Sequence, residues 1–370
     1  MARARRALRL WHKVFGLGAA LWLVLLSATG SAIVFYDELD RWLNPDLRAV
    51  AAGPAAASIK TVVETSQVSV PGFTPRIVDL PNRPGDSFML VGAIERGQKS
   101  FPAQVFVDPR DGALLGFRIT DGAHFDRRRL MDTLYALHMD LMAGPVIAWF
   151  LGLVALLWAI DHVPAAMLAA PRIGRSLEAL KIGGKGFNTR RLFDLHRAPG
   201  LWLWPVTLML ALTGVLLAWP ESTRDAMRRF SPVNERLHYE MPAKGPPKDA
   251  VTPDQAIIAA APEGEVDSLQ LLPRQGLYAV RSFDRRDLDD IGRLWTYVDM
   301  ADGRVVARRH DNGETVGDAV FAWQYPLHSG KAFGLAGRIA VLAGGIVTLL
   351  LCVSGLILWR RRSRSSPRRA

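Results

Sequence analysis

Four stretches of this chain are long, apolar and free of acidic residues: Val14 to Tyr36, Leu141 to Ile160, Leu201 to Trp219 and Phe333 to Trp359. A helix rising about 1.5 Å per residue needs about 20 such residues to cross a hydrocarbon core of about 30 Å, so each stretch can span a bilayer. With 49% hydrophobic residues over 370, the chain is too apolar for a soluble multidomain protein.

The net charge of +11 does not point to nucleic acid, because its placement follows the apolar stretches. Segments 1–13, 161–197 and 360–370 carry 18 Lys/Arg against 3 Asp/Glu, whereas the long segments 37–137 and 220–332 carry 27 against 31. Basic short segments mark the cytoplasmic side, so both termini are expected in the cytoplasm and the two long segments outside it. Cys352 is the one cysteine, and the outer segments fold without disulfides. Arg3 to Arg9 followed by an apolar run also resembles a secretory signal peptide. Internal repetition argues against that reading, since a cleavable leader would not be duplicated in mid-chain.

The chain reads twice. His12, Gly16, Thr29 and Gly30 recur as His196, Gly200, Thr213 and Gly214, at a constant offset of 184. Asp108 to Gly112 recurs as Asp299 to Gly303 at offset 191, and Leu137-His138 with Gly144 recurs as Leu327-His328 with Gly334 at offset 190. The expected fold class is an integral membrane α-helical protein with four transmembrane helices as two parallel repeats, each carrying a small α+β periplasmic domain. Two crossings per unit make both copies enter the membrane in the same direction, related by a pseudo-twofold along its normal. The expected boundaries are a basic N-terminus 1–13, spans 14–36, 138–160, 196–219 and 328–359, periplasmic domains 37–137 and 220–327, a cytoplasmic loop 161–195 and a basic tail 360–370. Within the outer segments, Gln104 to Asp108 and Ala113 to Ile119 read as strands joined by an Asp-Gly turn, repeated at Trp295 to Asp299 and Arg304 to Ala307. Thr252-Pro253 caps an expected helix over Asp254 to Ala261.

Four of the eight histidines, His12, His138, His196 and His328, stand at the expected N-terminal end of a membrane helix. A lone interfacial histidine is ordinarily an amphipathic residue facing headgroups. Four together at membrane depth point instead to a partner or cofactor. The topology sorts them into His12 with His196 near the cytoplasm and His138 with His328 near the periplasm. A pseudo-twofold relates the members of each pair, as axial ligation of a flat group from opposite faces requires. Haem iron accepts neutral imidazole from both faces, and such a site moves electrons. A haem there would be a non-covalent b-type, since no Cys-x-x-Cys-His motif is present. Four-coordinate zinc would need its ligands clustered. Gly16, Gly18, Gly144, Gly200, Gly330, Gly334 and Gly337 fall near the histidines and suit haem clearance or close helix packing. His162 is a substitute candidate for the cytoplasmic site, and His124, His238 and His310 are expected solvated in outer loops.

Trp11-His12, Leu137-His138, Leu195-His196-Arg197 and Leu327-His328-Ser-Gly330, with the two Val-Asp-x-x-Asp-Gly turns, resemble the PepSY-associated transmembrane family over nearly the whole chain. Its bacterial members include iron-regulated inner-membrane proteins and siderophore reductases. The resemblance implies PepSY-like outer domains, two b-type haems within four helices and the reduction of ferric siderophores in the periplasm, with release of Fe(II). The four histidines are then the axial ligands of the haem irons. The electron donor is another molecule, because the cytoplasmic segments are too short for a nucleotide-binding domain. Arg127, Arg128, Arg129, Trp323, Tyr325 and Lys331 are expected near the outer haem, as holders of a polar or anionic chelate or as headgroup anchors. A non-enzymatic membrane sensor or binding module with periplasmic PepSY domains is the alternative function. It accounts for the outer domains and leaves the paired histidines without a role.

Overall fold

The computed structural model describes residues 2–51, 53–54, 56–169 and 176–365. Met1, residues 170–175 of the inner connection and residues 366–370 of the basic tail lie outside the described residues. The chain forms two units. A helical unit takes Met1–Phe35, Leu134–Thr223 and Gln324–Ala370, and a sheet unit takes Tyr36–Thr133 and Arg224–Trp323.

In the helical unit, three helices are long and apolar enough to cross a membrane: Arg3–Ile33, Pro145–Ala169 and Lys331–Arg364. The pair Thr189–Trp202 and Trp204–Ala218 makes a fourth if it is one span bent by 67°. That bend falls at Leu203, just ahead of Pro205, whose missing N–H and fixed φ suit the first turn of a new helix. Leu21, Val146, Leu212, Ile346 and Val353 point outward from the spans. In lipid, exposed apolar side chains incur no solvation cost, and small residues bring helices together. Gly345 accordingly lies against Ser31, and Gly344 against Val206 and Leu210.

Two breaks depart from the sequence reading. His138 and His328 are in the last turns of separate helices, Leu130–Asp140 and Val316–Ser329, rather than at the start of the spans. After the first, Leu141 and Met142 adopt φ of 53° and 58° and Gly144 of 82° before Pro145 opens the span. After the second, Gly330 and Gly334 take positive φ on either side of a single 3-10 turn. Consecutive left-handed turns cannot continue an α-helix, so the chain changes direction immediately beyond each histidine.

The sheet unit holds eight strands: β1 Phe73–Asp79, β2 Phe88–Arg96, β3 Lys99–Val107, β4 Leu114–Ile119, β5 Val266–Leu272, β6 Leu277–Ser282, β7 Leu294–Asp299 and β8 Val305–His310. They form one antiparallel sheet in the order β4-β3-β2-β1-β5-β6-β7-β8. The long segments 37–137 and 220–327, expected to form a small domain each, therefore share one sheet. Their seam is β1 on β5, with Val78 opposite Leu269, and a common core joins Val62, Leu90 and Val105 to Ala256, Val280 and Val298. Asp254 adds a second link by accepting the backbone N–H groups of Ile59 and Lys60 at 2.8 and 2.9 Å, which caps the helix Ile59–Ser69.

Both Asp-x-x-Asp-Gly segments form the expected turns with the same bonding. The Gly112 and Gly303 N–H groups donate to the Asp108 and Asp299 carbonyls, and both glycines sit at positive φ. The Thr252-capped helix is Pro253–Ala260, closed by a capping box with Gln255.

Candidate functional site

The helical unit brings the four histidines together as the two expected pairs. The rings of His12 and His196 have centroids 6.1 Å apart, and so do those of His138 and His328. A metal–imidazole bond is about 2 Å, so two imidazoles on opposite sides of one metal ion place their ring centres about 6 Å apart. His12 and Thr29, which bonds His138, are 17 residues apart on one helix, so the pairs are separated by roughly 25 Å along it.

Each imidazole is held through Nδ1. His138 donates to the Leu26 carbonyl at 3.0 Å and to Thr29 Oγ1 at 3.2 Å, and His328 to Thr213 Oγ1 at 2.9 Å. His196 donates to Ser354 Oγ at 3.0 Å and His12 to Asp161 Oδ2 at 2.8 Å. The hydroxyl protons of Thr29, Thr213 and Ser354 are committed to carbonyls one turn earlier, those of Leu25, Met209 and Leu350, at 2.7, 2.7 and 2.5 Å. Each hydroxyl oxygen can therefore only accept from the imidazole, and a carboxylate likewise only accepts. The proton is fixed on Nδ1, and the Nε2 lone pair is left able to ligate a metal. Metal-binding histidines are prepared in this way, with the remote nitrogen donating to an oxygen that sets ring orientation.

Glycines make room for these rings. A Cβ on Gly30 would meet His138 Cε1 at 2.8 Å, one on Gly214 would meet His328 Cε1 at 3.6 Å, and one on Gly355 would meet His196 Cε1 at 3.3 Å. Three hydroxyl-glycine dipeptides, Thr29-Gly30, Thr213-Gly214 and Ser354-Gly355, thus do one job: the hydroxyl takes Nδ1–H and the glycine lets the ring close on the helix. Two of them lie within the repeat at offset 184. Ser354-Gly355 lies outside it, which is why sequence comparison within the chain does not find it. Of the glycines singled out for haem clearance or close helix packing, three are in close packing. Gly16, Gly18, Gly144 and Gly334 face open space, Gly200 packs on Leu351, and Gly330 and Gly337 approach each other's backbone.

His162 is no substitute ligand, since Nδ1 bonds the Trp158 carbonyl at 2.7 Å and Nε2 bonds Thr207 Oγ1 at 3.0 Å. Two of the three remaining histidines are not solvated as expected. His238 is buried against Tyr239, Trp295 and Tyr297 and bonds the Tyr297 hydroxyl, and His310 ends β8 buried against Asp287 at 2.8 Å. Aromatic residues enclose the His238 ring, and the Asp287 carboxylate holds that of His310. His124 sits in a loop tied by its backbone to Thr133 Oγ1.

The six residues expected near substrate divide between the units. Arg127, Arg128, Arg129 and Trp323 belong to the sheet unit, and Tyr325 and Lys331 to the helical unit. Arg127 and Arg128 pair with Asp46 at 3.2 and 2.6 Å and Arg129 with Asp126 at 2.5 Å, so all three already have an anionic partner. No group of three or more His, Cys, Asp or Glu suited to a metal ion occurs among the described residues, and the imidazoles stand as pairs.

The family description "PepSY-associated TM region" matches residues 9–362. The chain belongs to this family and is a membrane protein with three, or with the bent pair four, apolar spans. A search of curated proteins finds no match.

Proposed function

We propose that this protein is a di-haem reductase of the bacterial inner membrane that passes electrons outward to ferric siderophores in the periplasm and releases Fe(II). The observation that carries the reading is the paired imidazoles at 6.1 Å, each with Nδ1 engaged and Nε2 unbonded. The donor set suits a low-spin haem: two neutral nitrogen ligands per site, with glycine beside three of the four rings. His12 and His196 would hold one b-type haem near the cytoplasm, and His138 and His328 a second near the periplasm. A haem with two imidazole ligands supplies one-electron transfer without an open position for oxygen.

The residues of this chain do the rest. Thr29, Leu26, Thr213, Ser354 and Asp161 hold the tautomers, and the turns at Leu141–Gly144 and Gly330–Gly334 stop each histidine-bearing helix at the ligand. Two parallel repeats, with both termini in the cytoplasm, would set each pair at one depth. Charge placement and the mirrored strand order about β1 and β5 support that arrangement. The donor is a separate cytoplasmic or membrane molecule that gives one electron for each Fe(III) reduced. Hard oxygen donors hold Fe(III) far better than Fe(II), so the single electron releases iron and leaves the chelator intact.

Stopped-flow mixing of the dithionite-reduced protein with a ferric hydroxamate chelate tests this. The rate of reoxidation of the haem bands should rise with chelate concentration, and reoxidation should yield one Fe(II) per electron, captured by an added ferrous-specific chelator. Reoxidation independent of the chelate would contradict it.

A second reading, a membrane-tethered binding module, draws on a cavity of about 570 Å³ in the sheet unit, lined by Leu294, Thr296, Arg308, Arg309, His310 and Glu314. Such a volume suits a small ligand. Ligand binding unchanged by loss of all four paired histidines in a colourless protein would favour it.

A further inference from the structure

The side-chain acceptors of the four imidazoles are not alike, and His138 has the Leu26 carbonyl in addition. Three are neutral hydroxyls followed by glycine, whereas at His12 the acceptor is the Asp161 carboxylate, followed by His162. Asp161 is 4% exposed, and among the described residues its one ionic partner is His12. Its second oxygen, Oδ1, is buried without a hydrogen bond. Asp161 therefore places a negative charge against His12 with no Lys or Arg bridging it among the described residues, in surroundings that screen charge poorly.

A hydroxyl whose proton is already committed leaves the imidazole close to neutral. A carboxylate draws the Nδ1 proton toward itself and raises the electron density at Nε2. Both the stronger ligand and the nearby charge stabilise the more positive metal, Fe(III), over Fe(II), and outer hydrogen bonding is an established lever on haem potential. We infer that Asp161 makes the His12–His196 pair the lower-potential of the two redox sites, so that at equilibrium an electron shared between them resides at the His138–His328 pair. Asp161 is a positioning residue that acts through His12. The inference rests on the haem reading above and gives it a direction, from the basic side of the membrane outward.

The test is potentiometric titration, followed by visible absorption, of the full chain reconstituted with haem. A His138→Ala, His328→Ala background leaves one site to observe. There Asp161→Asn should raise the midpoint by at least 59 mV, a tenfold change in the ferric-to-ferrous equilibrium for one electron. Asp161→Glu should keep the low midpoint, and Ser354→Asp should lower it by a similar amount. An unmoved midpoint in haem-bound Asp161→Asn overturns the inference. If that variant sheds haem, Ser354→Asp decides: a lowered midpoint supports the inference and an unmoved one overturns it. A wild-type protein that binds no haem refutes the haem reading and the inference with it. Two bound haems with unmoved midpoints refute the inference alone.

Discussion

In the sheet unit, the buried Arg118 guanidinium donates to both oxygens of Asp40 at 2.7 and 3.1 Å and to Gln104 Oε1 at 2.7 Å. It also faces Asp132 at 3.2 Å and lies over the Phe106 ring. In the helical unit, the buried Asp161 has one imidazole as its partner, and four rings each leave a nitrogen unbonded. The first network sets opposite charges against one another, as a structural support does, and leaves Asp132 Oδ2 and Asn44 Oδ1 as buried oxygens without a hydrogen bond. The second has unused valence at two pairs of nitrogens. Paired imidazole nitrogens without a protein partner are the atoms that a metal-bearing group would take up.

The comparison breaks most visibly at Arg118. Arg118→Met leaves Asp132 buried without its cation and Asp40 with Arg48 alone, at 3.5 Å, and should cost about 3–5 kcal/mol of stability in the sheet unit. Unfolding followed by the β-sheet circular dichroism signal measures this, while the haem spectrum of any folded protein should not change. A loss below about 1 kcal/mol would show that the network carries less than its geometry suggests.

In the helical unit the corresponding change is steric. Gly30→Val would drive side-chain atoms into His138, and displacing a ligand should speed haem loss to apomyoglobin by about 10–100-fold, the usual range for disturbed ligand support. Gly53→Val, which lies in the sheet unit and meets only Arg110, should leave haem loss unchanged. Equal effects at the two glycines would remove the ring-packing role assigned to Gly30.

The smallest effect concerns the seam of the sheet. Burial, and then the neighbouring Asp267, push the Asp79 carboxyl from its usual range near 4 up to about 7. Between these two values the folded protein holds a proton that the unfolded chain has released, so sheet stability should fall as pH rises through that window. Asp79→Asn should flatten the slope between pH 4 and 7. An unaltered slope would place its origin in another group.

The spans, the two Asp-x-x-Asp-Gly turns and the pairing of the histidines were legible in the sequence because each depends on short-range pattern or on repetition at a fixed offset. The β1–β5 seam was not legible, since it joins residues nearly 200 positions apart with no local signature. Strands β1, β2, β5 and β6 have no adjacent Asp-Gly turn to mark them. At the site, Thr29 and Thr213 were visible as repeated residues but not as imidazole acceptors. Which nitrogen a ring uses depends on tertiary placement. The helix breaks after His138 and His328 were hidden in part by Leu141 and Met142, apolar residues that give no warning of left-handed backbone.

The central claim is that each histidine pair holds a haem, and counting haem in paired variants tests it most directly. Pyridine haemochrome titration of protein reconstituted with haem should give two b-type haems per chain for the wild type and one for His138→Ala with His328→Ala. Full wild-type haem content in that double variant would contradict the account.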